Sequence, residues 1–391
     1  MPLVTNERDL LPFRDEDYRQ DPYPFYDEIR TQGDVYFHPM GMYVITKHEH
    51  VSRLLRERSM SVLQIDFGPA SALHDSMLGQ DMPDHTRLRR ATNEWFAPAA
   101  IQQLRENIQN RVDALISNAE STGQIEAVLE LAYPLTNGLM CEILGVDDEG
   151  STLIRDKTFD FGLSLGPGAS DEDLLATAAA SDWFVEYINN LIEKKRSNPG
   201  EGMLDELIKM SDEGTMTHDE VVATTFLFFA VGHLDVSYLI INGLRIFAEN
   251  PEVLAAYRDQ PELRPNIINE ILRFDTPEQF VSRLTTEDIQ VGDVVIPAGE
   301  MVVLMIGAAN KDPQIFDAPH EFDVQRPNSA KHLAFSGGIH GCVGQILARA
   351  EADVVFTTFV NRFPDLHLAG EPTWGHTEFI RAMHTLPLAL K

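Results

Sequence analysis

The chain has 391 residues, enough to bury a large core, and its 43% hydrophobic and 24% charged content is that of a globular protein. Its 31 lysines and arginines stand against 61 aspartates and glutamates, and the net charge of −30 argues against nucleic acid or an anionic membrane as partner. With two distant cysteines, Cys141 and Cys342, and an acidic N-terminus lacking an apolar signal core, a disulfide framework is not expected and a reducing, cytoplasmic setting fits.

A short helix is expected over residues 22–30, then two β-prone runs, 35–37 and 41–46, that would pair as a hairpin. Helical spacing returns over 47–56. Residues 59–80 lack a period and carry Gly68, Pro69 and Gly79, and a loop this long is usually functional. Asp84 is placed to cap the next helix, on which His85 and Arg89 are four apart and share a face. Four cationic or potentially cationic groups between residues 85 and 90 point to a bound anion, with a solvated basic patch as the alternative.

From 101 to 192 the pattern is helical with short breaks, and Cys141 lies on an apolar face as a core thiol. A loop is expected at 162–170 and a short helix at 203–210. Thr217-His218-Asp219-Glu220 then resembles a capping sequence for one long helix, 221–249. This helix is apolar on nearly every face through Phe229, and its most apolar run, 221–231, is too short to cross a bilayer. Gly232-His233-Leu234-Asp235 sits in its middle, and a buried aspartate is costly unless paired, so this segment is a site candidate.

Helices follow at 251–257 and 266–273, where Glu270 and Arg273 can pair, an arrangement worth little if exposed. Strands are expected at 279–284, 289–296 and 301–306, an irregular meander at 311–327, and a C-terminal hairpin over 379–390 around Met383-His384-Thr385. The fold class is mainly α with a minor β region (35–46, 279–306 and 379–390), forming a single large domain over residues 1–391.

Before the last long helix runs Phe335-Ser336-Gly337-Gly338-Ile339-His340-Gly341-Cys342-Val343-Gly344. Its glycines let the backbone approach a flat partner, and a helix start favours negative charge, here a thiolate. Such a thiolate suits axial ligation of haem iron. A buried structural cysteine in a tight turn is the plainer alternative.

Taken in order and spacing, the chain resembles the bacterial soluble cytochrome P450 family over essentially its whole length. FSGGIHGCVGQILARAE is similar to the family's haem-binding loop and following helix. The resemblance implies haem b as cofactor, Cys342 as thiolate and metal ligand, Phe335 as the aromatic shielding its sulfur, and Gly344 within the binding loop. It implies Glu270 and Arg273 as the structural Glu-x-x-Arg pair, with Arg326 as third partner. His85, Arg89, Arg283 and His340 then match the propionate-binding positions.

The implied fold is the triangular, helix-rich one of the family. The implied activity is monooxygenation, fed by a separate ferredoxin or flavodoxin with its NAD(P)H-dependent reductase, on a small-molecule substrate, with no nucleic acid and no membrane involved. One departure matters. Where the family carries an acid followed by threonine, counting back from Asn250-Pro251 puts Leu234 and Asp235, followed by Val236. A shift of one residue makes Asp235 the acid, and in neither register is there a threonine.

Asp235 and His233 are therefore the catalytic candidates, with Asp235 favoured to face the haem. The substrate pocket is expected from residues 59–77 and 161–166, with Val231, Leu234, Glu278, Gln279, Phe280, Val281, Phe379 and Ile380. Its polarity suggests hydroxylation or oxidative O- or N-demethylation of a small polar or oxygenated molecule. Two alternatives stay open: oxidative coupling or another atypical reaction that dispenses with threonine-assisted protonation, and a haem-binding sensor or non-catalytic binder.

Overall fold

The computed structural model describes residues 10–13, 15–162, 169–375 and 379–391. The expected hairpin forms, and its strands belong to a larger sheet. Strands β1 (Tyr36–His38), β2 (Met42–Ile45), β3 (Met60–Ser61), β4 (Val281–Thr285) and β5 (Met301–Leu304) lie in the order β1-β2-β5-β4-β3. Only the β2–β5 pairing is parallel. In β4 burial alternates along the strand, as a two-residue period requires.

Helices make up most of the rest. The ones that frame the site are α1 (Asp84–Asn93), α2 (Pro98–Thr122), α3 (Tyr133–Leu144), α4 (Asp171–Ser197), α5 (His218–Ala230), α6 (Leu234–Glu249), α7 (Arg264–Phe274) and α8 (Gln345–Arg362). Helix α2 buries Ile101, Ile108, Val112, Ile116 and Ala119, a stripe at helical spacing, and stops at Gly123 with φ +76°. The capping box before α5 forms as read: Thr217 Oγ1 accepts from the Glu220 amide at 3.1 Å, and Glu220 answers the Thr217 amide at 2.8 Å.

Several expectations are corrected. The stretch 221–249 is two helices, because α5 ends at Ala230 and α6 begins at Leu234. Across the break, Val231 and Gly232 both bond back to the Leu227 carbonyl, at 2.9 and 3.2 Å, which widens the turn. The combined span, His218–Glu249, is long and apolar enough to cross a membrane by composition, but 78% of its most apolar window is buried among other helices. Asp84 does not cap α1; the helix begins at Asp84 itself, after Pro83, with no side-chain cap. Residues 289–296 form a two-stranded ribbon, Ile289–Val291 with Val294–Ile296, turning at Gly292.

The C-terminal segment is not a hairpin. Met383–Thr385 pairs with Thr373–Trp374, whereas Pro387–Ala389 joins Gln124–Glu126 and His367–Leu368. Residues 59–80, read as a loop, contain β3 and a 3₁₀ stretch, Gly68–Asp75. The Glu270–Arg273 pair forms and is fully buried, both side chains being 0% exposed.

Candidate functional site

Five segments converge on one cavity. Helix α1 supplies His85 and Arg89, the α5–α6 break supplies Val231, Gly232 and Asp235, and the segment entering β4 supplies Glu278, Val281 and Arg283. The loop before α8 supplies Phe335, Ser336, His340, Cys342 and Gly344, and Met77 and Leu78 come from the end of the 59–80 region.

The sorting of cations on α1 follows from pairing. Arg87 is held on the other face by Glu220, at 2.5 and 2.9 Å, and by Asp84 at 2.9 Å. Arg90 is exposed. That leaves His85 and Arg89, one turn apart, toward the cavity. The His85 and His340 rings meet edge to face at 4.5 Å between centroids. Both nitrogens of His85 and Nε2 of His340 are buried without a hydrogen bond. Among the described residues, Arg89 hydrogen-bonds only to the Ile339 carbonyl at 3.4 Å, and Arg283 only to its neighbour's carbonyl at 2.7 Å.

Burial lowers the His85 pKa, and burial together with Arg283 and His85 pushes His340 down to about 3. Both imidazoles are thus neutral N–H donors, and the cationic side chains here are Arg89 and Arg283. Two unpartnered imidazoles beside two guanidiniums suit a dianion such as the two propionates of haem.

Cys342 lies across the cavity floor. Its amide donates to the Phe335 carbonyl at 2.9 Å, closing a loop that turns through Ser336 (φ +58°) and Gly338 (φ +67°). Gly338 is required twice over: its φ is left-handed, and a Cβ there would come within 2.3 Å of the Leu55 carbonyl oxygen. Cys342 is accessible through the cavity, yet it sits deep in the molecule. Burial pushes its thiol up to about 11, while a hydrogen bond from Gly344 works the other way. The loop geometry alone therefore does not ionise this sulfur, contrary to what its place before a helix suggests; coordination to iron would do so. Phe335 lines the same floor, its ring under the Arg349 guanidinium at 5.0 Å. Cys141 is buried in the core, its thiol raised to about 12.

On the opposite wall, Asp235 faces the cavity, and its Oδ1 is buried with no partner. Burial raises its carboxyl above the ordinary range. Glu278 is raised as well, by burial and then by the Asp235 charge, with Arg283 pulling the other way. No serine or threonine of α5 or α6 lines the cavity; Ser237 turns instead to Thr136 at 2.7 Å.

Other pocket expectations do not hold. His233 and Leu234 point into the interior away from the cavity, and burial lowers the His233 ring to about 4. The Gln279 side chain is held by Tyr26 at 3.1 Å and by the Thr276 carbonyl at 2.6 Å, outside the lining. Phe280 packs against Phe13 and Phe379, and Ile380 lies in the core with its backbone bridged to Glu278. Of residues 59–77 only Met77 reaches the wall, and Phe161 is core. Residues 163–166 lie outside the described ones.

Asp81 was missed. It accepts from Ser61 Oγ at 2.6 Å and from the Val62 amide at 3.2 Å, and it stands 3.9 Å from His340 Nε2. Also missed were Phe96, Met140, Phe228 and Leu239 of the apolar wall.

The family description Cytochrome P450 matches residues 175–374. Cytochrome P450 107B1 of Saccharopolyspora erythraea is 33% identical over 99% of this chain and 99% of its own. Two solved structures superpose closely. Ligand-free CYP164A2 of Mycobacterium smegmatis has a TM-score of 0.90 at 32% identity, covering 97% of this chain and 99% of its own. CxnD, described as the cytochrome P450 for C–S bond formation in chuangxinmycin biosynthesis, has a TM-score of 0.86 at 29% identity, covering 95% and 94%. With that fold, a cavity whose donors suit haem, and relatives alike over the full length, the chain belongs to the cytochrome P450 family as a bacterial monooxygenase with haem b as cofactor.

Proposed function

We propose that Cys342 is the axial ligand and that His85, Arg89, Arg283 and His340 hold the propionates, in an enzyme that hydroxylates or oxidatively demethylates a small polar molecule. The observation carrying this reading is the convergence of those five side chains, from three separate segments, on one cavity where imidazole nitrogens of His85 and His340 are buried without a hydrogen-bond partner among the described residues. When bound, haem with a thiolate ligand supplies the activation of O₂, one oxygen atom going to the substrate and the other, with two electrons and two protons, to water.

The chain's own residues do the rest. Arg89 and Arg283 match the dianion's charge, the two neutral imidazoles donate N–H, and the Asp81 carboxyl stands 3.9 Å from His340. Val231, Val236 and Leu239 exclude bulk water from the distal wall. Asp235, whose carboxyl burial raises to about 6, can take up and pass on a proton toward the cavity, a role given elsewhere in the family to an acid and an alcohol. Electrons come from a separate ferredoxin or flavodoxin with its NAD(P)H-dependent reductase, and the setting is cytoplasmic.

Oxidative coupling is the second reading. That no hydroxyl of α5 or α6 lines the cavity favours it, and so does the likeness to CxnD, a relative described as forming a C–S bond.

Purified protein reduced under carbon monoxide should show the red-shifted Soret band of a haem thiolate, lost in Cys342→Ser and kept in Cys141→Ser. A correctly folded, haem-loaded protein without that band would refute the assignment. Formaldehyde release and incorporation of labelled O₂ then separate demethylation, hydroxylation and coupling.

A further inference from the structure

Across the cavity from Cys342 the wall is apolar: Leu227, Phe228, Val231, Val236, Leu239 and Val281. Two polar side chains interrupt it, Asp235 from the first turn of α6 and Glu278 from the segment entering β4. They come from different elements and line the same cavity, and the Asp235 charge helps to raise the Glu278 carboxyl, so the pairing is a product of the tertiary fold. Neither carboxyl has a hydrogen bond or ion pair to another side chain among the described residues, and Asp235 Oδ1 is buried unpartnered.

Two carboxyls placed together in an apolar wall are costly, because each disfavours ionisation of the other. The opposing charge nearest Glu278 is Arg283. That guanidinium, with Arg89, is the match for the two propionates, and the imidazoles beside them are neutral. Once the propionates take those two charges, the acid pair has no counter-charge in the cavity.

We propose that the missing counter-charge comes from the substrate, and that the pocket selects a molecule bearing a basic amine, its ammonium seated between Asp235 and Glu278. The proposal rests on the haem-thiolate reading above. The charge closes: a pair sharing one proton carries −1, and a monocation neutralises it. An ammonium also has N–H donors for both carboxyls, whereas a hydroxyl donates a single bond and cancels no charge. The apolar walls then hold the hydrocarbon part, so that a C–H bond of the same molecule is what is oxidised. The amine nitrogen is protonated and has no lone pair to react.

The test compares phenethylamine with phenethyl alcohol, nearly isosteric and differing by one charge, by equilibrium dialysis against the ferric haem-loaded protein at pH 7. The amine should bind at least about tenfold tighter, the scale of one charge-assisted hydrogen bond. Glu278→Gln and Asp235→Asn should each remove most of that preference and leave alcohol binding unchanged. Equal affinities in the wild type would overturn the proposal without any variant having to fold. So would a preference that survives in the double variant together with a red-shifted ferric Soret band, the signature of an amine bound to iron instead of to the carboxyls. The carbon monoxide spectrum of the same preparation separates the two layers: if the haem-thiolate band is present and the preference absent, only the amine assignment falls.

Discussion

Arg273 grips both carboxylate oxygens of Glu270 at 2.7 Å, and neither side chain has any exposure to solvent. Arg326 adds a 2.9 Å bond to the same carboxylate, and the two guanidiniums go on to the carbonyls of Asn310, Pro319, Glu321 and Asp317. One carboxylate thus ties α7 to the meander that precedes the Cys342 loop. Glu270→Gln leaves two buried cations underpaired and should cost about 3–5 kcal/mol, read from the urea midpoint of the haem-loaded protein.

The donors around the propionate end can be ranked by what they have left to give. Arg283→Ala or Arg89→Ala removes one charged donor, worth about 1.5–3 kcal/mol, and should speed haem loss about 10- to 150-fold. Transfer of haem to apomyoglobin measures this. Arg87→Ala should leave the rate unchanged, because that side chain is engaged by Glu220 and Asp84.

Asp275 gives a pH signature away from the haem. It accepts from Arg381 at 2.7 Å, from Arg245 at 2.9 Å and from Tyr23 at 3.0 Å. Burial alone would raise its pKa, but Arg381, Arg245 and Lys311 outweigh burial and hold it below the ordinary 3.8. With the folded-state value depressed, its contribution is complete above 3.8 and is lost as pH falls through the lower folded value. Asp275→Asn should therefore be well below the wild type in stability at pH 7, with the gap narrowing toward pH 3 in paired denaturation curves.

Packing between α6 and α8 depends on a missing methyl group. A Cβ on Gly243 would stand 2.1 Å from Cζ of Phe356, whose ring is boxed in by Phe247 at 5.2 Å and Tyr257 at 5.8 Å. Gly243→Ala should cost about 1–3 kcal/mol despite the better helix propensity of alanine, a sign that thermal unfolding can check.

What could be read from the sequence was what a short spacing carries. The glycine-rich run around Cys342, the four-residue step from His85 to Arg89 and the three-residue step from Glu270 to Arg273 each declare themselves locally. Facing was harder. Val281 and Arg283 line the cavity while Phe280 and Ser282 look the other way, so a two-residue period applied from Arg283 would have set Phe280 aside. Gln279 was misplaced for another reason: its partners, Tyr26 and the Thr276 carbonyl, include one that is 253 positions away. Asp81 had no motif of its own and acquires its place only when β3 and the loop carrying His340 meet. Exposure cannot be read from an i, i+3 spacing, so the burial of the Glu270–Arg273 bridge comes only from the structure.

The interruption at Val231 and Gly232 has a mechanical consequence. The half before it, α5, packs on the 3₁₀ stretch Gly68–Asp75 and on α4, whereas the half after it, α6, packs on α8 behind the cysteine loop. The two halves of the distal wall are therefore held by different neighbours, with Leu227 and Phe228 belonging to the side packed on α4 and Asp235 to the side packed on α8.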